Sequence, residues 1–222
     1  APWYHYSYSE QIIHQSDINT YGKITSISFY SNGTEFANSG DWTVYIGHTA
    51  KTSFNSSSDW VTSGSMTQVF SGSVTTNPSS GWYTITLSSE FIYNNTDNLV
   101  IAVDENESGY GSNSTFFALS DITSTSQILY YRSDGTNPDP SSPPTATSLA
   151  SYLNYIQLEI QELPQNCQFY NYGSSSQLTF DNANINDIIP IFRVSATHTG
   201  SFDSFEIEIN DSPDFLGTAY TQ

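Results

Sequence analysis

Positive charge is almost missing from this chain. Lys23, Lys51, Arg132 and Arg193 are the only lysine and arginine residues, set against 22 acidic ones, and the formal charge is −18. Nucleic acid is thereby excluded as a partner, because affinity for a phosphate backbone comes from Lys and Arg displacing counterions. An anionic bilayer repels such a chain for the same reason. The surplus carboxylates serve either solubility or the capture of divalent cations through oxygen ligands.

Cysteine is equally scarce. Cys167 stands alone, so no internal disulfide framework exists and the core must hold the fold unaided. No run of about 18 apolar residues occurs, which predicts no membrane insertion. The first residues lack a basic stretch followed by an apolar one, so a secreted protein is expected here in its mature form. Lys and Glu are sparse while Ser, Thr, Asn and Gly fill the polar positions, a usage typical of extracellular proteins, so the expected location is extracellular or at the cell surface. Asn-Xaa-Ser/Thr sequons begin at Asn32, Asn55, Asn94, Asn106, Asn113 and Asn210. In a chain so rich in Ser and Thr, chance accounts for them as well as glycosylation does.

What the chain does have is aromatics: 16 Tyr, 13 Phe and 4 Trp. Aromatic and β-branched side chains pack well on pleated surfaces. Lys23–Ser31 (KITSISFYS) and Asp41–His48 (DWTVYIGH) alternate near period two, as half-buried strands do. In the second, Trp42, Val44 and Ile46 share one face. Asn32-Gly33 opens a turn between them. Further strands are expected at Thr67–Ser71, Trp82–Leu87, Asn98–Asp104, Thr115–Leu119, Gln127–Arg132 and Ser151–Gln161, a spacing typical of sandwiches and jelly rolls. Asn98–Asp104 (NLVIAVD) is apolar without alternation and predicts a central strand covered on both faces. Trp42 and Trp82, lying in alternating strands, read as core.

Asp134–Thr147 (DGTNPDPSSPPTAT) carries four prolines and predicts a long surface loop, functional or merely connecting. The pattern changes around 162. The expected organisation is all-β: a jelly-roll-like antiparallel sandwich over 1–162, then part of a second, immunoglobulin-like or fibronectin-like sandwich over 163–222, with strands at Ile188–Ser195 and Ser204–Asn210. So short a second piece struggles to bury enough surface, and the natural chain is expected to continue beyond Gln222.

An ordered set of segments carries a family resemblance. It comprises SEQII at Ser9–Ile13, ITSISFY at Ile24–Tyr30, VYIGHT at Val44–Thr49, SDW through FSG across Ser58–Gly72, GWYTITL at Gly81–Leu87, FIYNNTDNLVIAVDEN at Phe91–Asn106, YYRSDGTNPDPSSPP at Tyr130–Pro144 and YIQLEI at Tyr155–Ile160. Together they resemble a module of large secreted and surface proteins of Bacteroidetes. The resemblance implies a jelly-roll-like domain exported by a type IX route and appended to adhesins, hydrolases or repeat arrays, with neighbouring domains of the same longer chain as partners. It carries over no catalytic residue.

Catalytic motifs are absent. No G-x-S-x-G elbow and no H-E-x-x-H is present, and His5, His14, His48 and His198 read as surface or loop residues. No carboxylate pair is singled out for glycoside hydrolysis. Calcium is the candidate metal. Asp104, Glu105, Asn106 and Glu107 follow the apolar strand, while Asp134, Asn137 and Asp139 form a second oxygen-rich loop; solvated turn carboxylates are the plain alternative. Trp60, Tyr110 and Trp3 are the candidate sugar-stacking aromatics, with packing at the sandwich edge as their alternative. The expected function is non-catalytic adhesion or glycan binding, with glycans or surface proteins as partners. A structural spacer of a surface filament or multidomain chain comes second, and an accessory domain of a secreted hydrolase third.

Overall fold

A computed structural model describes residues 3–162 except 112–114, 117 and 120–124, together with the backbone of Phe169–Tyr170 and Gln177–Leu178. The chain divides into two compact units, Ala1–Leu163 and Pro164–Gln222. In the second, the described part is Phe169–Tyr170 paired antiparallel with Gln177–Leu178. The strands expected at 188–195 and 204–210, as well as Cys167, Arg193 and His198, lie outside the described residues.

The first unit is an all-β antiparallel sandwich. Its strands are β1 (Tyr6–Ile13), β2 (Gly22–Asn32), β3 (Asp41–Thr49), β4 (Thr67–Ser73), β5 (Ser80–Tyr93), β6 (Asn98–Glu105), β7 (Ala118–Leu119), β8 (Ile128–Ser133), β9 (Ser148–Ala150), β10 (Leu153–Asn154) and β11 (Ile156–Glu162). One sheet runs β4-β3-β6-β1-β8-β9 and the other β11-β2-β5, with β10 and β7 forming a small separate pair. No helix among the described residues is long and apolar enough to cross a membrane.

The two large sheets meet through their alternating apolar residues. Ile24, Ile27 and Phe29 of β2 and Ile85, Phe91 and Tyr93 of β5 pack against Trp42, Val44 and Ile46 of β3, Val69 of β4, and Leu99 and Ile101 of β6. Burying each such side chain contributes about 1.5–3 kcal/mol. Ile24 and Ile27 are three apart, a spacing that would place them on opposite faces of a regular strand. The ladder shifts between Ile24 and Ser26 against both neighbouring strands, and this bulge at Thr25 turns both isoleucines inward.

β6 is buried on both faces, as its unbroken apolar run predicts. Leu99 and Ile101 belong to the core between the sheets. Val100 and Ala102 face the other way and are also buried. On that second face Ile12, Phe54, Leu129 and Ala146 form a separate cluster, joined by Trp60 and Leu149. The proline-rich stretch 134–147 adds no strand, but it is more than a surface loop. Pro138 and Ala146 are buried, and the Pro140 and Pro144 carbonyls accept hydrogen bonds from the Ser63 N–H (3.0 Å) and the Trp60 indole (2.8 Å). Together with segment 54–63 it caps the large sheet.

Candidate functional site

β5 carries Trp82-Tyr83-Thr84-Ile85-Thr86-Leu87, and its pleat sorts these residues cleanly. Tyr83, Ile85 and Leu87 turn toward the core, leaving Trp82, Thr84 and Thr86 on the outer face of the three-stranded sheet. Across the ladder Tyr30 pairs with Trp82, Ser28 with Thr84 and Ser26 with Thr86. On the other side of β2, Ser28 pairs with Gln157 and Ser26 with Glu159. Tyr155 sits just before β11, fixed by its carbonyl accepting the Tyr30 N–H at 3.1 Å.

One end of this face is thus aromatic and the rest polar. The rings of Trp82 and Tyr155 lie parallel within 6°, 5.7 Å between centroids. Tyr30 meets both edge-on, at 5.2 and 5.7 Å. These are the offset and T-shaped geometries that aromatic quadrupoles favour, so the cluster fixes its own orientation. Trp82 remains 45 % exposed and Tyr155 38 %. Beside them the Ser28 and Thr84 hydroxyls share a hydrogen bond of 2.8 Å, and Ser26 donates to Glu159 Oε2 at 2.8 Å. Ser26 and Ser28 are themselves buried, so the groups exposed beside the flat rings are Thr84, Thr86, Gln157 and Glu159, whose polar ends suit a sugar's hydroxyls as the rings suit its C–H face.

Trp82 is therefore not a core residue, contrary to its reading from strand periodicity. Its neighbours at i+2 and i+4 are both threonines, and that polar face marks the tryptophan as outward.

The aromatics singled out from sequence lie elsewhere. Trp60 is half-buried, packs on Tyr8 at 5.2 Å and donates to Pro144, so the fold uses it to tie the two capping segments together. Tyr110, 62 % exposed, stacks on His5 at 5.4 Å. Trp3 is 56 % exposed. His48 is neither in a loop nor on the surface. It lies half-buried in β3 against Phe91 and Tyr93, its Nε2 accepts the Asn94 N–H at 3.2 Å, and burial lowers its pKa.

The two acidic loops meet, since Asn137 Nδ2 donates to Asn106 Oδ1 at 2.8 Å and Asn106 Nδ2 donates to Asp104 Oδ2 at 3.1 Å. Strand alternation, however, turns Asp104 and Glu105 to opposite faces. Glu105 Oε1 accepts the Glu107 N–H at 2.9 Å, and Glu107 Oε2 the Gly40 N–H at 2.6 Å. Asp134 accepts the His5 N–H, and Asp139 binds Ser141 through both its N–H and hydroxyl. Asp104 and Glu105 are nearly inaccessible, and burial pushes their carboxyls up to about 6 and about 8. Among the described residues no three His, Cys, Asp or Glu side chains converge closely enough to share an ion, so calcium binding at these loops stands on the sequence pattern alone.

Comparison of the chain with protein-family models, curated proteins and solved structures finds no match.

Proposed function

We propose that this protein is a non-catalytic extracellular glycan-binding module, and that Tyr30, Trp82 and Tyr155 form its sugar platform. The observation that carries the reading is the pair of parallel, exposed rings of Trp82 and Tyr155 beside a hydroxyl-lined sheet face. Exposed aromatic surface of this kind costs solubility unless it meets a partner. A sugar is the partner that uses both its apolar rings and its polar rows. Placement in a longer exported surface protein of the Bacteroidetes kind, as an adhesin segment or a targeting domain beside a hydrolase, rests on the sequence resemblance.

Affinity electrophoresis through gels cast with neutral polysaccharides tests this. Retardation by at least one polysaccharide is expected for the native chain, and Trp82→Ala and Tyr155→Ala should migrate as if the gel were empty. Both variants should melt within about 1 kcal/mol of the native protein, because neither side chain belongs to the inter-sheet core. Equal retardation of native and variant chains would contradict the platform. If no polysaccharide retards the native chain, the spacer reading takes its place.

A further inference from the structure

We propose a second binding site, specific for a carboxylate-bearing saccharide, in a cleft of about 230 Å³ built around Arg132. The large sheet extends past the inter-sheet core, to which it contributes buried residues from β3, β4 and β6. The residues of β1 and β8 that point to the same side beyond that core, Ser7, Ser9, Tyr130 and Arg132, line the cleft. Tyr152 and Asn154, on the segment that crosses β1, complete it. That crossing is held by the Asn154 N–H donating to Gln11 Oε1 at 2.9 Å.

Charge singles this cleft out. Of the described cations, Lys23 pairs with Glu90 and Lys51 with Asp59. Arg132 makes no ion pair among the described residues, although the chain carries 22 acidic side chains. Its guanidinium instead lies over the Tyr4 ring at 4.5 Å and near the Tyr130 ring at 5.8 Å. Cation–π contact engages the flat face of a guanidinium and leaves its N–H edge available, the edge that grips a carboxylate with two parallel hydrogen bonds. Tyrosine rings, serine residues and Asn154 line the same cleft and offer groups suited to the remainder of a sugar. A neutral ligand would leave the guanidinium unanswered. A long polyanion would meet the repulsion of the whole chain, so the ligand is a short acidic sugar or the end of a longer one.

The test uses the full chain and trigalacturonate, compared with its methyl ester, by isothermal titration. The acid is expected to bind about tenfold or more tightly than the ester, as loss of a charge-assisted bidentate contact implies. This comparison needs no variant, so a structural role for Arg132 cannot obscure it. Arg132→Gln should weaken acid binding to the level of the ester, and Arg132→Lys should restore only part of it. Trp82→Ala should leave trigalacturonate binding unchanged, which separates this site from the platform. Equal affinity for acid and ester, no binding of the acid, or undiminished binding by a folded Arg132→Gln variant would each overturn the proposal.

Discussion

Glu10 has no contact with solvent, yet it is a carboxylic acid in the middle of a sheet. It accepts the Tyr8 hydroxyl at 3.0 Å and the Val61 N–H at 2.9 Å. Burial raises its pKa to about 7, outweighing these two bonds and the nearby Lys51, which pull it down. A carboxyl whose folded value lies above its unfolded value contributes fully below about pH 4.5, and the contribution is lost as pH rises through 7. Glu10→Gln keeps an acceptor for Val61 and offers Tyr8 a donor. It should leave stability nearly unchanged at pH 5 and raise it at pH 8.5 by on the order of 2–3 kcal/mol. Denaturant melts at the two pH values check this, and equal effects at both would contradict it. Trp60→Ala should cost about 2–4 kcal/mol by opening the contact with Tyr8 and freeing Pro144, with glycan retardation intact. Both residues show what sequence reading misses: Glu10 carries no apolar signal, and Trp60 sits in a polar stretch that gives no hint of its partner 84 residues away.

At the scale of elements, the platform draws one ring from each strand region of the three-stranded sheet: Tyr30 from β2, Trp82 from β5, and Tyr155 from the residue that leads into β11. That strand approaches β2 very closely at Gly22, where an added Cβ would collide with the Gln161 carbonyl and meet Ile160 Cγ2 at 2.8 Å. Backbone cannot step aside as a flexible side chain can, so Gly22→Ala should destabilise the protein by about 2 kcal/mol or more, read as a lower midpoint in urea. β2, β3 and β6 are legible in the sequence from alternation or from an unbroken apolar run. β1 is not, since polar Glu10 and Gln11 are buried on its two opposite faces and accept the N–H groups of Val61 and Asn154, far along the chain. Expected strand 151–161 begins instead as β10, breaks at Tyr155 and resumes as β11, and that break sets Tyr155 beside Trp82. β9 lies in a run too short for periodicity to register.

The whole molecule combines a charge of −18 with three buried carboxyls, Glu10, Asp104 and Glu105, raised to about 7, 6 and 8. Both features favour the folded state under mildly acidic conditions, because each group sheds its proton more readily once unfolded and the shared repulsion grows with pH. The melting temperature should therefore fall by about 5 °C or more between pH 5.5 and pH 8.5. A flat profile would mean that these carboxyls remain charged where they lie. All-β architecture follows from composition and strand spacing, but the face that carries function depends on which side of a strand the partner sheet covers. Only the packed molecule decides that.

Screening the native chain and its Trp82→Ala variant side by side on one array of neutral and acidic glycans asks whether the Trp82–Tyr155 face binds sugar. The native protein is expected to bind a related set of neutral glycans, and the variant, folded by its melting curve, to lose that whole set while keeping any acidic ones. Retention of the neutral set by Trp82→Ala would contradict sugar binding at that face.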